Sequence, residues 1–114
     1  MNEIYTANMK RKDRTFKQKF NKRFNQPLSQ PNSKKRISKL TGVPTSVLDK
    51  VFDRGVGAYK TNPKSVRPQV KSPEQWGMSR VYSFIEKGYN AVEKNKKKID
   101  QDQDLFNKVK DKLD

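Results

Sequence analysis

The side chains of this chain that can do chemistry are its cations and one short row of carboxylates. Lys10, Arg11, Lys12, Arg14, Lys17, Lys19, Lys22 and Arg23 crowd the first quarter. Lys34, Lys35 and Arg36 follow, Lys60, Lys64 and Arg67 flank a proline-rich centre, and Arg80 lies beyond it. Ammonium and guanidinium groups at this density bind phosphate through counterion release and long-range attraction rather than through a shaped pocket. The formal net charge of +15 on 114 residues makes a polyanion the expected partner, and these positions are the candidate nucleic-acid-binding residues. Double-stranded DNA, bound without sequence specificity, comes first; an anionic protein surface and an anionic membrane follow.

The carboxylates suit metal chemistry less well. Asp100, Asp102, Asp104 and Asp111 match the first, third, fifth and twelfth positions of a calcium loop. The sixth position is Leu105 where glycine is required, and the ninth is Lys108, which breaks both the turn and the charge. These acids read instead as a solvated patch that pairs with the lysine run before them, so no metal and no cofactor is expected. The chain has no Cys and no His, which removes disulfides, thiolate chemistry, the usual zinc sites and imidazole catalysis. It also lacks a nucleophile–base pair and a glycine-rich phosphate loop. Glu74 and Glu86 are too far apart along one helix to work as paired carboxylates, and no enzymatic activity is expected. No apolar run resembles a secretory signal or a membrane span, which reads as a protein of the cell interior or of a particle assembled there.

The charge is unevenly carried. Residues 1–36 hold 11 basic and 2 acidic side chains, whereas residues 93–114 hold 7 and 6. Residues 8–24 read as a helical arm: Phe16, Phe20 and Phe24 recur every four residues, Met9 extends the row, and cations fill the remaining surface. Two uses of that row stand open. It can pack on the protein's own core, or it can dock on a partner subunit while the cationic face meets phosphate; the second makes Phe16, Phe20 and Phe24 candidate partner-binding residues. A membrane-surface helix shares the pattern but lacks Trp or Leu on the apolar side. Residues 25–33, with two prolines and many amides and hydroxyls, read as a linker that leaves the arm mechanically separate.

The ordered centre begins at Ser33, a helix cap for 34–40. Gly42 supplies a turn and Pro44 opens a second helix, on which Val47, Leu48, Val51, Phe52 and Tyr59 share a face. Gly55 and Gly57 mean either fraying or close approach of another backbone. Residues 61–70 read as a basic loop. Ser72, Pro73 and Gln75 make a capping box for a long helix whose Trp76, Val81, Phe84, Ile85, Tyr89 and Val92 are buried, while Arg80 and Tyr82 are exposed and, with Lys87, offer a basic–aromatic surface. Val92, Ile99, Phe106 and Leu113 recur at seven residues and predict a charged C-terminal helix or short coil. With only 31% hydrophobic residues against ~45–50% in average domains, the core is expected to be marginal. The fold class is all-α: a helical domain of two to four short helices at 34–92, an extended basic arm and linker at 1–33, and a charged helix at 93–114.

The 37–51 segment also has the form of a repressor-like helix-turn-helix, with Gly42 at the turn and Leu48 and Val51 following. In that alternative Thr45, Ser46 and Lys50 face the major groove and Arg54 a phosphate, against the awkward presence of Asp49 and Asp53. Further, Thr41-Gly42-Val43-Pro44, the run Leu48 to Gly55, Ala58-Tyr59-Lys60-Thr61, the run Trp76 to Phe84, and Asp102-Gln103-Asp104-Leu105 occur in an order that resembles a small uncharacterised domain of bacteriophages and large DNA viruses. The resemblance implies a viral origin and no enzymatic role. Together these expectations describe a small basic structural protein of a phage head, found in the virion and in host cytoplasm before assembly. Its partners would be capsid, portal or neck subunits and packaged DNA, in a multi-copy assembly.

Overall fold

The computed structural model describes residues 15–61, 72–99 and 101–113, and every regular element among them is an α-helix. The five are α1 (Phe16–Arg23), α2 (Lys34–Thr41), α3 (Thr45–Thr61), α4 (Pro73–Glu93) and α5 (Gln103–Val109). None is long and apolar enough to cross a membrane.

Local chemistry sets most boundaries. Thr15 caps α1 in a complete capping box: Gln18 N–H donates to the Thr15 hydroxyl at 3.1 Å, and Thr15 N–H donates to Gln18 Oε1 at 3.0 Å. Ser33 and Ser72 accept from the third residues of α2 and α4, and Pro73 occupies a first position where no amide hydrogen is required. α1 and α4 both end in Schellman motifs with Asn where Gly is usual. Asn25 and Asn95 take φ of 56° and 55°, and the amides beyond them donate back to Asn21 O and Ala91 O. Gly42, at φ 81°, ends α2 in the left-handed conformation expected of it.

α4 is the spine of the molecule. It buries Val81, Tyr82, Phe84, Ile85 and Ala91, and α3 runs along it with Val47, Leu48 and Val51 turned inward. The two backbones come close because glycine faces glycine: a Cβ on Gly55 would lie 2.9 Å from Gly77 Cα. α3 therefore continues unbroken to Thr61, and close approach, not fraying, accounts for Gly55.

Several expectations are corrected here. The Phe row belongs to this chain's own core: Phe20 is fully buried, and Phe16 and Phe24 pack against the same cluster. Phe20 and Tyr82 rings lie 5.5 Å apart. Of the expected partner-binding residues, Phe20 is thus enclosed, whereas Phe16 and Phe24 stay partly exposed. Residues 8–14 of the expected arm lie outside the described residues. The linker at 25–33 is a fixed polar plug. Asn21 Nδ2 donates to the carbonyls of Leu28 and Gln30 at 2.9 and 3.0 Å, and Asn32 Nδ2 donates to Asn21 Oδ1 at 2.9 Å and to the Tyr82 hydroxyl at 3.1 Å. Gln26 and Arg36 close the network. Residues 15–33 are thus packed together with the helices that follow.

Beyond α4 the chain leaves the helix, and α5 spans Gln103–Val109 only, so among the described residues the expected helix over 93–114 is interrupted between Glu93 and Gln103. Leu105, Phe106, Val109 and Leu113 are nonetheless buried. With Ile37, Val43 and Phe20 they enlarge the core well past the α3–α4 pair that composition suggested. Trp76, expected inside, is half-exposed, and Tyr82, expected outside, is 4% exposed.

Candidate polyanion-binding groove

The arginines and the lysines of this protein do different work. Arg80 Nε and Nη2 donate to Asp102 at 3.1 and 3.0 Å. Arg54 donates to Asp102 at 2.9 Å and to both oxygens of Asp104 at 2.9 and 2.8 Å. Arg23 forks onto Glu86 at 3.0 and 3.2 Å and reaches Glu93 at 3.0 Å, while Arg36 is held by Gln26 and Asn32. Every described arginine is therefore engaged within the chain. The planar guanidinium, which suits bidentate recognition, is spent on internal carboxylates and amides.

This pairing resolves the C-terminal acids. Asp102 has a side chain only 2% exposed. Burial alone would raise its carboxyl, but hydrogen bonds from Arg80 and Arg54 hold it below the ordinary range. Asp104 is held well below that range by Arg54. Asp100 lies outside the described residues. Among the described residues no group of three or more potential ligands could hold a metal ion. The lysine run is not their partner, contrary to expectation: Lys94, Lys96, Lys97 and Lys98 are exposed, and the ion pairs of Asp102 and Asp104 are all with arginine.

Lysines gather with Arg23 along one groove of about 460 Å³ between α1 and α4, lined by Phe16, Lys19, Lys22, Arg23, Glu86, Lys87, Asn90 and Glu93. Two ammonium groups lie near the Phe16 ring, Lys19 Nζ at 5.1 Å and Lys87 Nζ at 5.6 Å from its centroid. Arg23 stacks on Tyr89 at 4.3 Å. Its guanidinium charge is stabilised: burial would lower its pKa, but Glu86 and Glu93 raise it overall. Lys94 follows Glu93 directly at the helix end, and Lys96 to Lys98 continue the cationic surface in the turn beyond.

Of the expected nucleic-acid-binding residues, Lys17, Lys19, Lys22, Lys35 and Lys60 are exposed or half-exposed on described helices. Lys34 is bound to Asp49 at 2.8 Å and lies 4.3 Å from the Phe52 ring. Arg23, Arg36 and Arg80 each make hydrogen bonds within the chain; Lys10, Arg11, Lys12, Arg14, Lys64 and Arg67 lie outside the described residues. Sequence reasoning missed Asn90 as a groove residue, set Lys87 on a different surface, and passed over Lys94, Lys96, Lys97 and Lys98 as exposed cations. The signal was present at Lys87, Asn90 and Lys94, whose spacing places them along one side of α4. The proposed basic–aromatic surface of Trp76, Arg80, Tyr82 and Lys87 is not assembled, because Tyr82 is buried and Arg80 is tied to Asp102.

The α2–α3 pair keeps part of its helix-turn-helix character. Thr45, Ser46 and Lys50 are exposed, and Val43, Leu48 and Val51 are buried. Arg54, expected at a phosphate, is instead held by Asp102 and Asp104.

A family model described as a family of unknown function (DUF5824) matches residues 3–106, nearly the whole chain. No curated protein and no solved structure matches it.

Proposed function

We propose that this chain, which belongs to that family, binds nucleic-acid backbone without reading sequence, as a small non-enzymatic component of a viral particle. The observation that carries this is the division of labour among the cations. Direct base readout favours Arg, Asn and Gln placed on base edges, and the described arginines are all occupied at home. The surface is left to lysines, flexible point charges that suit phosphate contacts of any register. The viral setting rests on the resemblance of the 41–105 segments; any contact with capsid, portal or neck subunits bypasses the buried Phe20.

The experiment is binding of the full chain to unrelated duplexes across a salt series. Affinities within a few-fold of one another and a steep fall of log affinity with log salt, by about 0.9 per phosphate neutralised, support the reading. Strong preference for one sequence, or a shallow slope, overturns it. The exposed Thr45, Ser46 and Lys50 beside the Gly42 turn keep a helix-turn-helix regulator as the second reading. A footprint at one defined site that disappears in Lys50→Ala while general affinity persists would favour that one.

A further inference from the structure

Resting on the backbone-binding reading, the geometry points to a specific phosphate subsite: in the α1–α4 groove a nucleic-acid phosphodiester takes Nη1 of Arg23 from Glu93. The two carboxylates that hold Arg23 are not equivalent. Glu86 has a side chain 6% exposed and grips the guanidinium through Nε and Nη2. With Tyr89 stacked on its face, the guanidinium plane is fixed before any ligand arrives. Removing Glu86 would strand a nearly buried charge, so it stays.

Glu93 has a side chain 60% exposed and makes a single bond to Nη1 at 3.0 Å. An exposed pair of this kind is worth at most about fivefold in an equilibrium constant. A phosphate oxygen at the same position would meet Nη1 and also the charges of Lys19, Lys22 and Lys87 around the groove, where Glu93 offers one carboxylate alone. Exchange of Glu93 for phosphate is therefore favourable, and Glu93 acts as an internal competitor that weakens binding of isolated anions. The groove volume of about 460 Å³ falls in the range of small-ligand sites and admits one nucleotide unit. The half-exposed Phe16 ring, which lines the same groove, supplies an aromatic surface that a base can meet when Lys19 or Lys87 turns to the phosphate.

The test titrates the full chain with a thymidine dinucleotide, followed by amide and arginine side-chain NMR, and compares Glu93→Gln with Glu74→Gln. The second variant makes the same change in net charge at an exposed position on the opposite end of α4. Expected are perturbations confined to residues 16–23 and 86–94, with the dinucleotide bound on the order of fivefold tighter by Glu93→Gln and changed less than about twofold by Glu74→Gln. Equal effects of the two variants, or perturbations elsewhere, overturn the subsite. Inorganic phosphate bound as tightly as the dinucleotide would make this a free-anion site and overturns the assignment to backbone. Long-duplex binding measured in parallel separates the two claims. If it persists with steep salt dependence while Glu93→Gln has no special effect, only the subsite fails; if it is absent, both fail.

Discussion

Arg80 and Asp102 meet through two hydrogen bonds, Nε to Oδ2 at 3.1 Å and Nη2 to Oδ1 at 3.0 Å, across a gap of 22 residues. Arg54 from α3 joins the same carboxylate. One side chain thus ties α3, α4 and the entry to α5 together, and Asp102 adopts the left-handed conformation, φ 59°, at the N-cap of α5 without a side-chain capping bond. Replacing it by Asn should cost about 2–3 kcal/mol, below the ~3–5 kcal/mol of a fully buried pair because Arg54 is 40% exposed. Urea unfolding measures this; a loss under about 0.5 kcal/mol, as for an ordinary surface substitution, would show that the apolar contacts of α5 hold the C-terminus unaided.

The same carboxylates give the fold a defined acid response. Asp102 and Asp104 are held below their ordinary value in the folded protein, whereas in the unfolded chain they titrate at about 3.9. Their contribution is therefore complete above that value and is lost as pH falls through it toward the lower folded values. The urea midpoint should be flat from about pH 7 to 5 and drop below about pH 4. In Asp102→Asn the drop should be shallower. A parallel acid slope in that variant would assign the response to other groups.

The capping serines, Pro73 and Gly42 made α2, the start of α3 and α4 legible, because caps and turns act within three or four residues. The ion pairs were not. Arg23 meets Glu86 across 63 residues and Arg54 meets Asp104 across 50, and nothing in local composition says which cation a carboxylate will find. The 25–33 segment misled for a related reason. Gln26, Gln30 and Asn32 have the composition of a linker, and only Asn21 of α1, the buried Tyr82 hydroxyl and the Leu28 and Gln30 carbonyls turn them into a network. For the groove, the lysines were visible but their gathering around Arg23 was not, since that depends on how α1 packs along α4.

The glycines of α3 separate propensity from packing. Gly57 has nothing within 4 Å of where a Cβ would stand. Gly57→Ala should therefore stabilise by about 0.5–1 kcal/mol, the helix-propensity gain alone. Gly55→Ala has the same propensity gain, but its Cβ would lie 2.9 Å from the Gly77 backbone and 3.2 Å from Arg80 Cβ. Forcing α3 away from α4 should outweigh the gain and leave a net loss of about 1–2 kcal/mol. Thermal unfolding of both variants decides it: equal stabilisation would mean that the α3–α4 contact is looser than these distances.

Phe20 distinguishes a structural α1 from a detachable arm. It is fully buried, with ring centroids 4.8 Å from Phe24 and 5.5 Å from Tyr82. Truncation to Ala should cost about 3–5 kcal/mol, enough to unfold a marginal domain, because it opens a cavity beneath the Asn32–Tyr82 hydrogen bond as well as removing apolar contact. If α1 served to dock on another protein, Phe20→Ala would leave thermal unfolding of the isolated chain unchanged. The half-exposed Phe16 supplies the control. It packs at the edge of the same cluster, so Phe16→Ala should cost about 1 kcal/mol while reducing dinucleotide binding in the groove, a pattern that Phe20→Ala, acting through the core, would not reproduce.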